Sequence, residues 1–130
     1  MRYLLDSNAV IGLLAGNPSL TRRIRQHAPR DFGVSAIATH ELFFGAYKSE
    51  RKAQNVNVVE ELQFEVVEFD QDDARQAGAI RAALKATGKP IGPYDVLIAG
   101  QAQARDLILI TRNTGEFSRV NGLRIEDWEA

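Results

Sequence analysis

The chain contains no cysteine among its 130 residues, and this absence excludes several kinds of chemistry. A disulfide scaffold, a thiol nucleophile and any zinc or iron–sulfur site built on cysteine are ruled out. An excess of one charge is also lacking, because 16 Lys and Arg residues stand against 17 Asp and Glu residues, for a formal net charge of −1. The molecule is therefore not a polycation that would coat nucleic acid through its total charge.

Long apolar runs and linker-like segments are missing as well. No segment reaches the roughly 20 apolar residues that a membrane-spanning helix needs, and Asp6 interrupts the apolar start before a signal sequence is complete. We therefore expect a cytoplasmic protein without membrane contact. No repeat, low-complexity tract or Pro/Gly-rich linker divides the chain, and its length suits a single domain of residues 1–130.

Short apolar runs alternate with longer amphipathic segments, a pattern typical of an α/β fold with a mostly parallel sheet. The predicted strands cover residues 3–5, 32–34, 65–69, 107–110 and 123–125. The predicted helices cover residues 8–15, 18–28, 36–48, 50–62, 71–88 and 93–106, with a polar loop at 111–115. Ser35, Ser49 and Asp70 are predicted to cap the helices that follow them.

Three acids lie where simple solvation does not explain them. Asp6 directly follows the first predicted strand, at the edge where open parallel sheets bind ligands. Glu41 and Asp95 each share the apolar face of a predicted helix, where an unpaired carboxylate is costly. Each acid also has a local interpretation: a helix cap for Asp6, a solvent-facing rim position for Glu41, and interaction with the helix dipole for Asp95.

The loop after the strand at 107–110 brings Thr111, Asn113 and Glu116 to the same predicted edge. Two carboxylates 4 Å apart repel by roughly 4 kcal/mol at an effective dielectric of 20, so a cluster of them stays ionised only around a cation. Only His27 and His40 are available as nitrogen ligands, and we expect His40 to face solvent or the core edge. An all-oxygen site favours Mg²⁺ or Mn²⁺, ions that catalyse phosphodiester chemistry.

Several short segments form a recognisable set in a fixed order: Leu-Leu-Asp-Ser-Asn at 4–8, Glu-Leu at 41–42, Ile-Gly-Pro-Tyr-Asp at 91–95, Thr-Arg-Asn at 111–113 and Glu-Asp-Trp at 126–128. This set resembles the PIN-domain ribonucleases, and most closely the VapC-type toxins of bacterial toxin–antitoxin pairs. The resemblance implies a three-layer α/β/α sandwich with a mostly parallel central sheet. It also implies an acidic pocket that holds Mg²⁺ or Mn²⁺, and endonucleolytic cleavage of RNA by a metal-activated water.

Position by position, the resemblance assigns Asp6, Glu41 and Asp95 to the three core acids of the family. Many relatives carry Asp where this chain has Asn113, which leaves Glu116 as the candidate fourth acid and leaves the number of metal ions open. We expect all four acids to be catalytic and to hold the metal, with positioning of the attacking water as the alternative role of Glu41. The remaining candidates are groups that contact the substrate or support the metal ligands: Ser7, Thr111, Arg112 and Asn113. For Arg112, a plain surface position is the alternative.

The resemblance also implies partners. Toxins of this kind are inhibited by a cognate, VapB-like antitoxin that wraps the toxin and blocks its pocket, and they commonly form homodimers. Contact with DNA is then expected only through the antitoxin. The enteric subgroup, which the chain resembles at 92–95 and 126–128, cleaves initiator tRNA in the anticodon loop. That tRNA is therefore the substrate that we expect.

Three alternatives stay open at this stage. Receiver domains share the size, the α/β fold and a Mg²⁺ site, but they have paired acids after the first strand, where Asp6 stands alone. A haloacid-dehalogenase-like phosphatase would use Asp6 as nucleophile, but the second acid of that family is Asn8 here and the chain is short for it. A non-catalytic PIN-like module would bind a partner protein through Phe43, Phe44 and Tyr47, although we favour a core position for most of these rings.

Overall fold

A single sheet of five parallel strands forms the centre of the computed structural model, which describes residues 1–130. The strands are β1 (Tyr3–Leu5), β2 (Phe32–Ser35), β3 (Glu65–Val67), β4 (Ile108–Ile110) and β5 (Ile125–Glu126), and their spatial order is β3-β2-β1-β4-β5. Every neighbouring pair is parallel. The predicted α/β class is confirmed, and the sheet is wholly rather than mostly parallel.

Seven helices flank the sheet and complete the three-layer arrangement. They are α1 (Ser7–Leu14), α2 (Pro18–Arg25), α3 (Ala36–Tyr47), α4 (Lys52–Glu60), α5 (Gln71–Ala86), α6 (Pro93–Ala104) and α7 (Thr114–Phe117), with a 3₁₀ turn at Pro29–Asp31. Four of the starts follow from side-chain caps, since first-turn N–H groups of α1, α2, α3 and α5 donate to the side chains of Asp6, Asn17, Ser35 and Asp70. The predicted caps at Ser35 and Asp70 are thus confirmed. None of the helices is both long and apolar enough to span a membrane.

The structure corrects the sequence-based expectations in five places. Helix α4 begins at Lys52, and Ser49 does not cap it; the Ser49 hydroxyl instead donates to the Ala46 carbonyl at 2.6 Å, at the end of α3. The predicted loop at 111–115 includes the start of α7. The last strand covers residues 125–126 instead of 123–125, and the third strand ends at Val67 instead of at residue 69.

The fifth correction concerns the aromatic side chains of α3. Phe44 is 62% exposed and Tyr47 is 56% exposed, so most of these rings do not lie in the core. Phe43 is only partly buried against the core. Helix α3 is apolar on almost every side, so periodicity alone does not identify its buried face.

The strand order determines where a ligand site belongs. The chain runs from β1 outward through β2 and β3, and later continues on the other side of β1 through β4 and β5. The sheet therefore has a topological switch point between β1 and β4, where ligands bind outside the carboxyl ends of the strands. Leu5 pairs with Ile110 across this junction, so the residues that follow them, Asp6 and Thr111, emerge side by side.

Candidate active site

Asp6 has two structural roles at the carboxyl end of β1. Its side chain is almost fully buried, at 2% exposure, and its Oδ1 atom accepts a hydrogen bond of 2.8 Å from the Ala9 N–H, which caps α1. Burial raises the pKa of Asp6 to about 6, while hydrogen bonds from Thr111 and the Ala9 N–H oppose the rise. The charge of Glu41 adds to the rise. Asp6 Oδ1 therefore caps helix α1, as one interpretation of the sequence predicted. The carboxylate also lies close enough to Glu41 for the two charges to interact.

Asp95 lies in the first turn of α6, and the charges of the other three acids affect its pKa. Its pKa is raised to about 7, first by burial, then by the charge of Glu116 and a hydrogen bond shared with it, and then by Glu41 and Asp6. A carboxyl group with this pKa is about half protonated at pH 7 when no cation is bound. Asp95 is therefore the residue whose pKa is raised by all three of the other predicted acids.

Glu116 reaches the site from α7 and is held in place by two donors. Its Oε1 atom accepts from the Gly92 N–H at 2.7 Å, and its Oε2 atom accepts from Asn113 Nδ2 at 2.9 Å. These bonds, that of Asn113 first, lower the pKa of Glu116 below its usual value. Asn113 Nδ2 also lies 3.3 Å from Asp95 Oδ2. The structure thus brings both candidates for the fourth position together, with Glu116 as the acid and Asn113 as a donor between two carboxylates.

Glu41 approaches the site from α3. The Ser7 hydroxyl lies 3.4 Å from Glu41 Oε1, in donor geometry. Glu41 also lines a groove of about 470 Å³ that continues between α1, α3 and α4. A side chain added at Gly45, one turn further along α3, would meet nothing within 4 Å. Space for an approaching molecule therefore exists beside Glu41.

The other predicted residues differ in their placement. Thr111 is buried at 1% exposure, and its Oγ1 atom accepts from the Asn113 N–H at 3.0 Å, which shapes the loop that carries Asn113. Arg112 is exposed and forms no ion pair with an acid. His40 faces solvent, as predicted, and its ring contacts that of Tyr94.

Sequence reasoning missed one further acid near the site. The charge of Glu129 also raises the pKa of Asp6, and its Oε1 atom lies 2.5 Å from the position that a Cβ on Gly12 would take. Gly12 therefore leaves room for this carboxylate against α1. No periodic pattern indicates Glu129, because it follows the last strand in irregular structure.

The charge arrangement fits a hard divalent cation. No Lys or Arg forms an ion pair with Asp6, Glu41, Asp95 or Glu116; the one basic residue whose charge lowers the pKa of Glu116 is Arg119, and its effect is smaller than those of Asn113 and the Gly92 N–H. All of the available donors are oxygen atoms, which suits Mg²⁺ or Mn²⁺. The protein has no compact group of three acidic or histidine side chains already arranged around one point. The acids border a shared space instead of closing around a single centre.

Comparison with known proteins places this chain in a family. The PIN domain matches residues 3–123. The chain is 38% identical to the tRNA(fMet)-specific endonuclease VapC of Shigella flexneri over 130 residues, covering 98% of each chain, and 37% identical to ribonuclease VapC2 of Haemophilus influenzae, again over 98% of each. Its fold matches the DNA-bound VapBC crystal structure from Salmonella typhimurium with a TM-score of 0.92, 38% identity and 98% coverage of each chain. The chain therefore belongs to the PIN-domain family and, within it, to the VapC group.

Proposed function

We propose that this protein is a metal-dependent endoribonuclease and the toxin of a toxin–antitoxin pair. The observation that carries the proposal is the meeting of Asp6, Glu41, Asp95 and Glu116 at the switch point of the sheet. The 38% identity to a tRNA(fMet)-specific endonuclease supports the same activity. Family membership leaves the receiver-domain and phosphatase alternatives without support, and the full set of acids argues against a module that only binds protein.

Asp6, Asp95 and Glu116 are the residues that we assign to hold Mg²⁺, with Mn²⁺ as the alternative cation, and Glu41 either joins them or positions the attacking water. When bound, the cation activates water and neutralises charge that develops on the phosphate. The protein's own contribution is orientation. Asn113 and the Gly92 N–H hold Glu116, and Ser7 lies within reach of Glu41.

The proposal also predicts how the protonation of Asp6 and Asp95 affects cation binding. Because the pKa values of these groups are raised to about 6 and about 7, both acids compete for protons with the cation that they bind. Cation binding should therefore release protons and become tighter as the pH rises. Thr111 tempers this effect at Asp6, since its hydrogen bond favours the ionised form.

The expected substrate is initiator tRNA, cut in its anticodon loop in the cytoplasm. The carboxylates of the site repel the RNA backbone, so attraction must come from other groups. Arg112 follows Thr111 directly and is exposed without an acidic partner, which suits contact with a phosphate next to the cut. A homodimer is the assembly that we expect for the free toxin.

The partner that we expect is a VapB-like antitoxin, with DNA contacted only through it. The groove beside Glu41 suits such a partner because its rim exposes apolar side chains: Ile11 at 52%, Leu14 at 49% and Val58 at 39%. An antitoxin segment in this groove would cover Ser7 and Glu41 and so block the site. The Salmonella structure that matches this fold is a VapBC complex bound to DNA.

The test is cleavage of defined RNA by the purified protein. Initiator tRNA and an elongator tRNA are incubated with the protein in Mg²⁺ and in EDTA, and the ends of the products are mapped. We expect a cut in the anticodon loop of initiator tRNA with Mg²⁺ and none in EDTA. Equal cutting in EDTA would contradict the metal assignment, and equal cutting of both tRNAs would contradict the substrate.

A further inference from the structure

Two exposed rings meet at the rim of the site. The ring centroids of His40 and Tyr94 lie 5.2 Å apart at an interplanar angle of 62°, an edge-to-face contact. Both side chains are exposed, Tyr94 at 46%. They come from different helices, α3 and α6, and each directly precedes a site acid, Glu41 in one case and Asp95 in the other.

Helix geometry explains why this pair lies beside the acids. Successive residues of an α-helix point about 100° apart, so a helix that directs its acid into the site directs the preceding residue onto the neighbouring surface. Because α3 and α6 both do this, the two rings span the gap between the helices at the solvent boundary. Neither ring belongs to the hydrophobic core, so core packing does not account for their position.

The chemistry of the substrate gives these rings a use. The acids act at a phosphodiester and have no means to hold a base. Proteins that bind unpaired RNA hold its bases by stacking them on Tyr, Phe, Trp or His side chains. Stacking also does not depend on charge, which matters at a site whose carboxylates repel a polyanion. His40 and Tyr94 each directly precede a site acid along the chain, so the backbone positions of the rings and of the acids are adjacent, about 3.8 Å apart at Cα.

We propose that His40 and Tyr94 form a stacking platform for an unpaired base next to the scissile phosphate. The inference rests on the proposed ribonuclease function and adds a group that positions the RNA. Tyr94 offers the larger ring, and the edge contact with His40 fixes its orientation. The platform explains how an acidic site retains a single-stranded loop.

The experiment measures cleavage of the anticodon stem–loop of initiator tRNA by wild type, Tyr94→Ala, Tyr94→Phe and His40→Ala. A stacked base contributes enough affinity for Tyr94→Ala to lower kcat/KM by about 10-fold, chiefly through KM. Tyr94→Phe keeps the ring and should recover most of the activity. His40→Ala should cause a smaller loss of the same kind, and thermal unfolding near that of wild type shows that the variants are folded.

A second arm uses stem–loops from which one loop base at a time has been removed. At the stacked position, removal of the base should weaken cleavage by wild type but not further weaken cleavage by Tyr94→Ala. At the other positions the two losses should multiply. A purely structural role of Tyr94 would give losses that multiply at every position.

The outcomes separate this inference from the function on which it rests. If wild type cuts no RNA with Mg²⁺, the proposed function fails and the platform fails with it. If wild type cuts and both alanine variants cut equally well, only the platform is overturned. Variants with full cleavage but weakened binding to the antitoxin would reassign the rings to protein docking, and this result also overturns the platform.

Discussion

At the scale of single residues, Asn113 determines how two carboxylates share one site. Its Nδ2 group is within hydrogen-bond distance of both Asp95 and Glu116. The two acids respond in opposite directions, since the pKa of Asp95 rises to about 7 while that of Glu116 falls. Without a cation the pair therefore shares a proton that Asp95 holds about half of the time at pH 7, and Asn113 stabilises the ionised Glu116.

Replacing this donor with another acid should destabilise the metal-free protein. Asn113→Asp removes the shared donor and adds a charge, so we expect the free energy of unfolding at pH 8 in EDTA to fall by about 1–3 kcal/mol. Mg²⁺ should restore part of the loss. Urea unfolding with and without Mg²⁺ measures both effects. Asn121→Asp adds the same charge at an exposed position, and an equal loss in that control would contradict the role of Asn113.

The raised pKa of Asp6 predicts a pH-dependent stability. In the folded protein this pKa is about 6, against 3.8 for an ordinary Asp, so the folded state binds the proton more tightly than the unfolded chain. The free energy of unfolding in EDTA should therefore fall as the pH rises from about 4 to about 6, by up to about 3 kcal/mol from this group.

The matched variant for that prediction is Asp6→Asn, because Asn caps a helix as well as Asp does. Urea unfolding between pH 4 and pH 8 should show a stability gain for the variant that grows with pH and levels off above pH 6. A constant difference between variant and wild type across this range would contradict the assigned pKa. The comparison cancels the groups that do not interact with Asp6, whereas Asp95, whose pKa of about 7 is raised in part by the charge of Asp6, adds to the difference near pH 7.

Residues of the site differ in how far the sequence reveals them. Asp6 is recognisable because an acid directly follows a buried strand, and Glu41 because an acid lies on an apolar helix face. Glu129 and Tyr94 carry no such signal. Their positions depend on how the chain end and the start of α6 are placed in space, and a one-dimensional pattern does not contain that information.

At the scale of elements, α5 and α6 are in close contact, and this contact positions Asp95. A Cβ at Gly100 of α6 would lie 2.5 Å from the Ala77 Cβ and 2.6 Å from its backbone nitrogen. The glycine therefore allows the two helices to approach closely. Periodicity predicts both helices from the sequence, but it does not predict this distance. Helix α7 was missed because its four residues are too few to show a helical period.

Gly100→Ala should force these helices apart. We expect a loss of about 1–3 kcal/mol in the free energy of unfolding, together with weaker cleavage because α6 carries Asp95. Gly78→Ala on α5 is the control, since a Cβ there meets nothing within 4 Å, and it should be neutral or stabilise by up to about 1 kcal/mol. Similar unfolding curves for the two variants would contradict the close packing.

At the scale of the whole molecule, an aromatic cluster joins distant segments of the chain. The Trp128 ring stacks on His27 at 5.5 Å and meets the edges of Tyr3 and Phe32. Trp128 is buried at 2% exposure. The cluster therefore connects the segment that follows β5 with β1, β2 and the segment after α2. The sequence predicts buried strands at 3–5 and 32–34, but only the fold shows that Trp128 covers them.

Trp128→Ala should therefore destabilise the whole domain by about 3–5 kcal/mol, because it removes a large buried ring that four segments share. Trp128→Phe should cost less, since an aromatic ring remains. Thermal and urea unfolding measure both variants. A loss below about 1 kcal/mol for Trp128→Ala would mean that the chain end is not part of the cooperative unit.

The net charge of −1 can be explained by how charge is distributed over the whole molecule. It averages a site of four acids that form no ion pair over a remainder in which basic residues are in excess. A cation at the site would neutralise part of the local charge and make contact with RNA electrostatically easier. The absence of cysteine, which at first only excluded chemistry, agrees with a donor set made of oxygen alone.

Cleavage of RNA by active-site variants tests the central claim most directly. Initiator tRNA is incubated in Mg²⁺ with wild type, Asp6→Asn and Asp95→Asn, each checked for folding by thermal unfolding. Both substitutions remove a charge from the proposed cation site, so each should lower the cleavage rate by about 100-fold or more. If both variants cut RNA as fast as wild type, the assignment of these acids to catalysis is contradicted.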